Sequence, residues 1–215
     1  MSKRMRIAVL GLVVLVVHGC ATVYTAGDFA DRTDAHETVA IMPFDVSIEM
    51  RELPDGLTEE DLDAQEQEEG YAFQRQVYTQ FLQRYARGEY TVEFQDVDTT
   101  NVLLNRADIG YRDISTNYTK NEIAELLGVD SIISGAITRN RPMGNIAAIA
   151  TTVLVGFGGR TNEVNVSMAL HDGADSALLW SYDHEVSGGL GSSPEGLAES
   201  LMRNIARRFP YIADN

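Results

Sequence analysis

Thr119-Lys-Asn-Glu-Ile-Ala-Glu-Leu-Leu-Gly-Val-Asp-Ser-Ile-Ile-Ser-Gly-Ala-Ile-Thr138 encodes a helix, its stop and a buried strand in one run. Thr119 and Glu122 stand in the spacing of a capping box, in which a hydroxyl and a carboxylate serve the free N–H groups at a helix start. Ile123, Leu126 and Leu127 form the apolar stripe expected to face a core, and Gly128 ends the helix where a left-handed residue is needed. Ser131 to Thr138 is then short, apolar and rich in β-branched residues, as in a strand covered on both faces.

Similar signals extend in both directions. Toward the C-terminus, Val164, Val166, Met168 and Leu170 alternate with smaller or polar residues, turn through Asp172-Gly173, and return as Trp180, Tyr182, His184 and Val186. This is the pattern of an antiparallel hairpin. Ser193-Pro194 opens a last helix with the stripe Leu197, Leu201 and Ile205. Toward the N-terminus, Val39 to Met42 is a continuous apolar run stopped by Pro43, with Phe44 and Val46 beyond it, and reads as a central strand.

Between Val46 and Thr119 lies the acidic stretch from Glu52 to Glu69. It has no basic residue and reads as a solvated loop. Asp61-x-Asp63-x-Gln65 begins like a calcium loop, but Glu66 occupies the glycine position, which excludes that reading. Phe73, Val77 and Phe81 mark a helix over Tyr71 to Tyr85, with Gln74, Gln76, Gln80, Gln83 and Arg84 on its polar face. Tyr90 to Val97 alternates as a half-exposed strand, and Val102-Leu103-Leu104 forms a short amphipathic piece. The order β-α-β-α-β-β-β-α predicts one α/β domain, a mixed β-sheet with packed helices.

The N-terminus has a different character. Lys3, Arg4 and Arg6 precede an apolar run from Ile7 to Val17, too short for a bilayer span of roughly 20 residues and suited to an export signal. The run ends in Val17-His18-Gly19-Cys20, which resembles the lipobox of bacterial lipoproteins, with His18 where a small residue is usual. Cys20 is the sole cysteine, so no disulfide competes for it. The expected organisation is a signal peptide over 1–19, a lipidated N-terminus and polar tether over 20–37, and the domain over 38–211. Acyl chains such as palmitate on Cys20 would hold the protein on the membrane. Ala21 carries no aspartate-type retention signal, so the expected site is the periplasmic face of the outer membrane.

Without residues 1–19 the chain keeps 32 acids against 14 of its 17 bases, a formal charge near −18. Such a surface repels nucleic acid and acidic phospholipid headgroups. A search for chemistry finds no catalytic residues. His36, His171 and His184 are not spaced as metal ligands, and no Gly-x-Ser-x-Gly elbow is present. Lys120 is the one lysine after the signal, which leaves phosphate-loop and Schiff-base chemistry without their residue. The glycines at 188, 189 and 191 precede a helix with no basic partner and read as a turn. No cofactor or metal is expected.

Pro142 to Gly159 is the unusual segment, carrying no charge between Arg141 and Arg160. One reading is a buried helix covering the sheet, followed by a glycine turn. The other is an apolar surface made for a bilayer or another subunit, using Ile146, Ile149, Ala150, Val153, Leu154 and Phe157.

Thr38-Val-Ala-Ile-Met-Pro-Phe44, Leu126 to Thr138, and the strands ending Leu178-Leu-Trp-Ser-Tyr182 together resemble the periplasmic domain of CsgG-type lipoproteins. That superfamily includes the curli secretion lipoprotein, LpoB-type activators of peptidoglycan synthases and GNA-type neisserial lipoproteins. The resemblance implies an anticodon-binding-like domain without catalytic residues, working through envelope-protein contacts and as a possible homo-oligomer. Two departures stand out. Where curli-type members carry barrel hairpins, this chain has a non-alternating apolar run and a short glycine-serine turn over Val186 to Ser193. Where LpoB-type activators carry a long proline-rich tether, Ala21 to Glu37 is short and has no proline.

Overall fold

The structure, a computed structural model, describes residues 21–50, 52–53, 55–141, 163–187, 194–205 and 208–213. The strands are β1 (Thr22–Thr25), β2 (Thr38–Ile41), β3 (Asp45–Met50), β4 (Glu93–Phe94), β5 (Ser131–Arg141), β6 (Glu163–Asp172) and β7 (Leu178–Ser187). The helices are α1 (Phe29–Thr33), α2 (Glu59–Tyr85), α3 (Val97–Arg106), α4 (Asp113–Thr116), α5 (Lys120–Leu127) and α6 (Pro194–Ile205). The strands form one mixed sheet in the order β1-β7-β6-β5-β2-β4, with β3 pairing the far half of β5. The α/β architecture expected from the sequence is thus the one observed.

The run from Thr119 forms as its residues dictate. The Thr119 amide and hydroxyl both donate to the Glu122 carboxylate, at 2.8 and 2.6 Å, and Gly128 takes a φ of 68° to stop α5. Ile123 and Leu127 are buried, but Leu126 is exposed and Ala124 takes its place in the core. β5 follows, parallel to β2 and β3 and antiparallel to β6.

One face of the sheet carries the main core. β2 and the β5–β6–β7 strands present Ile41, Ile133, Ile137, Val166, Met168, Leu170, Trp180 and Tyr182 to helices α2 and α6. Phe81, Tyr90, Phe94 and Phe209 pack there edge to face or tilted, with centroids 4.6 to 6.3 Å apart. Gly135 belongs to this face because a Cβ there would lie 2.1 Å from the Phe44 ring. A second, smaller core on the opposite face joins Ala40, Met42 and Ile132 to α3, α4 and α5.

Four further expectations need correction. The acidic stretch is not a loop from Glu52 to Glu69: α2 begins at Glu59, capped by Thr58 and Asp61. Three acids in its first turn also suit the positive end of the helix dipole. Within it Glu66 is buried, accepts from the Ile48 amide at 2.7 Å and pairs with Arg112. Gln74, expected on the polar face, is fully buried, where it donates to the Ile41 carbonyl and exchanges hydrogen bonds with Asn101. Of the strand expected over Tyr90 to Val97, only Glu93 and Phe94 join the sheet, and Val97 opens α3, capped by the Asp96 carboxylate.

The fourth correction concerns the tether. Residues Thr22 to Thr25 form β1 and pair with β7, and α1 follows within the same segment. Thr-Val-Tyr-Thr is a strand-prone sequence, and it finds an open edge to pair with.

Candidate interaction surface

Strand alternation sorts the sheet into rows. One row on the helix-covered face runs His184–Val166–Ile137–Val46, and the next passes through Tyr182 and Met168. On the opposite face the rows are Thr22–Asp183–Ser167–Ala136–Asp45, Asn165–Thr138–Ser47 and Tyr24–Ser181–Ala169–Ser134. Small or polar side chains make up most of these rows. They leave a hollow of about 350 Å³ whose lining includes Thr22, Ala136, Thr138, Asn165, Ser167 and Asp183 from these rows, with Val166 and His184 between them. The polar side chains these rows bring to it are hydroxyls, an amide and a carboxylate. Asp183 and His184 point to opposite faces, so they do not form an acid–base pair.

Burial pushes the Lys120 ammonium down from its ordinary value, and burial with the nearby Lys120 charge does the same to His171. Burial also lowers His184 on the other face. Arg112 bridges Asp45, Asp63 and Glu66, which ties β3 to α2 and α4. Among the described residues no group of three or more His, Cys, Asp or Glu is placed to hold a metal ion. No described helix is long and apolar enough to cross a membrane.

The sheet's edges differ in how they are closed. On β3, the outward amide of Val46 donates to the Tyr111 hydroxyl at 2.9 Å and that of Ile48 to Glu66. Such side-chain closure blunts an edge against pairing with another chain. On β1 no described residue bonds to the outer side of the strand. Its inner side is fixed by four register positions on β7 and by the Ala26 amide, which donates to the Leu179 carbonyl at 2.8 Å. Arg32 of α1 clamps the segment through Asp172 and Asp175, at 2.8 and 2.6 Å. His36 Nδ1 lies 2.6 Å from the Tyr211 hydroxyl, and Phe29 packs edge-on to that ring. All four β1 residues are exposed, Val23 and Tyr24 being 39% and 48% accessible, with Leu178 40% accessible on the neighbouring strand. The sequence reading missed this edge, and its only signal was the β-branched and aromatic makeup of Thr22 to Thr25.

Cys20 and the apolar residues Ile146, Ile149, Ala150, Val153, Leu154 and Phe157 lie outside the described residues, as does the glycine turn at 188–191. The structure does place the ends of both connections. Met50 pairs with Arg141, Asn140 with Glu163, and Glu163 with Ser187, so the 142–162 and 188–193 connections leave from one rim of the sheet.

No protein-family model matches the chain, and no curated protein matches it. Among solved structures it is similar to PelC from Paraburkholderia phytofirmans, a dodecamer, at 16% identity over 92% of this chain and 100% of that one, with a TM-score of 0.44. Lipoprotein GNA1162 from Neisseria meningitidis is 12% identical over 80% of this chain and 94% of its own, with a TM-score of 0.44. The LpoB C-terminal domain from Salmonella enterica is 10% identical over 74% and 92%, with a TM-score of 0.36.

Proposed function

We propose that this chain is a non-catalytic lipoprotein of the outer membrane's periplasmic face, anchored through acylated Cys20. It acts as an oligomerising or partner-recruiting component of an envelope assembly. The observation that carries the reading is the shared rim from which the two connections leave the sheet. The uncharged run of Pro142 to Gly159 and the glycine-rich 188–193 both join the sheet at this rim, on a domain whose sheet rows offer contacts rather than a catalytic pair. Ile146, Ile149, Ala150, Val153, Leu154 and Phe157 are the assigned contact residues. An uncharged surface of this kind is what subunit or partner contacts remove from water.

The test is purification of the lipidated protein in mild detergent, reading native mass and co-purifying proteins together. The expected result is a homogeneous oligomer or a defined partner. Both are lost in an Ala150→Asp, Val153→Asp double variant whose thermal unfolding is unchanged. If that variant unfolds instead, the segment belongs to the core and the reading fails. A conducting, detergent-stable ring would move the assignment to a secretion channel. A monomer bound to a peptidoglycan synthase would move it to a synthase activator, a reading that the docked β1 segment does not favour because it leaves little chain for reach.

A further inference from the structure

We propose that the β1 rim, Thr22–Thr25 with Leu178 beside it, is the surface on which the domain rests against the lipid headgroups. The inference depends on the acylated Cys20 of the proposed function and specifies how the domain sits on that anchor. Only Ala21 separates Cys20 from Thr22. Two residues of extended chain reach about 7 Å, so β1 begins at the bilayer interface wherever Cys20 is acylated.

β1 is also not free to peel away and act as a leash. Its register on β7, the Ala26–Leu179 bond and the Arg32 clamp make it part of the domain. The domain is therefore held flush, with this edge toward the membrane. The residues at the edge suit that depth. Val23 and Tyr24 project to opposite faces of the sheet, so the rim carries an apolar or amphipathic group on each side, and Leu178 adds a third. Tyrosine favours the headgroup layer, where its ring is apolar and its hydroxyl wet. Thr22 to Thr25 carry no charge. The outer N–H and C=O groups of β1 find water and headgroup partners at this level, which a deeper position would deny them.

The experiment uses the full lipidated protein in vesicles of phosphatidylethanolamine with a minor share of phosphatidylglycerol and a headgroup quencher. Acylation leaves Cys20 without a free thiol, so Tyr24→Cys, Leu178→Cys and Val102→Cys each give one fluorescent attachment point. Val102 is an exposed residue of α3, which packs on β2, four strand spacings or about 19 Å from β1. Several-fold stronger quenching at 24 and 178 than at 102 is expected. Equal quenching at all three, with acylated Cys20 found by mass, overturns the proposal. So does protection at 24 that appears only at high protein density, with energy transfer between copies, because a second copy would then occupy the edge. An unacylated N-terminus would instead remove the lipidation reading itself.

Discussion

Tyr111 and Tyr182 are both buried, but their hydroxyls stand in opposite circumstances. The Tyr111 hydroxyl accepts from the Val46 amide and donates to the Phe44 carbonyl at 2.7 Å. That of Tyr182 has no hydrogen-bond partner among the described residues. The same deletion should therefore act with different sign. Tyr111→Phe leaves a buried amide and carbonyl unserved and should cost about 2 kcal/mol, whereas Tyr182→Phe should be neutral or stabilising by up to ~1 kcal/mol. Urea unfolding of the two variants checks this, and equal losses would sink it. The histidines give a second test. Burial lowers both His171 and His184 from the ordinary imidazole value, and each has a buried Nδ1 with no hydrogen-bond partner among the described residues. With folded values depressed, the unfolded chain binds more protons once pH falls below about 6.5, so stability drops there. The Glu122 and Asp175 carboxylates are lowered, mainly by hydrogen bonds from Thr119 and Arg32, and their contribution is lost only at more acid pH. The double variant His171→Gln, His184→Gln should flatten the urea midpoint between about pH 7 and 5.5 while leaving the acid limb intact. An unchanged slope in that upper window would show that the imidazoles are not its source.

At the scale of elements, what could be read in the sequence was what is local. The α5 cap, the Gly128 stop and the β6–β7 alternation each depend on residues a few positions apart, and each formed as expected. The first half of α2 was hidden because acidic composition speaks for solvent. Its fate is decided by Glu66 meeting Ile48 and Arg112, a contact that spans 46 residues. β1 was hidden more completely, since its partner is β7, with Thr22 opposite Asp183. No local periodicity announces such a pairing, and four residues are too few to show one. The predicted contact residues of 142–159 stay a matter of sequence alone. The β1 account has its own consequence. If Arg32 is what holds the segment down, Arg32→Ala should raise amide exchange across Thr22–Thr25 several-fold while β5 and β6 keep their protection. Unchanged exchange would mean that the β7 ladder alone suffices.

For the whole molecule, the governing quantity is a formal charge of −15, near −18 if residues 1–19 are removed, on a protein proposed here to meet others on one membrane. Self-association must bring like charge together, so its strength depends on screening. At 0.01 M salt the screening length is about 30 Å and facing copies feel one another's full charge. At 0.15 M it is about 8 Å and only groups at the contact itself still interact. If the assembly is built from copies joined through uncharged surface, raising salt over that range should strengthen it by about an order of magnitude in the association constant. Recruitment of a basic partner obeys the opposite rule, because screening removes the attraction that steers it. Sedimentation of the detergent-solubilised, lipidated chain across a salt series separates the two by the sign of the slope. A rising mass with salt supports oligomerisation, and a salt-labile complex with a second protein supports recruitment. A flat profile would place the acidic groups too far from any contact to govern assembly, and the electrostatic argument would fall.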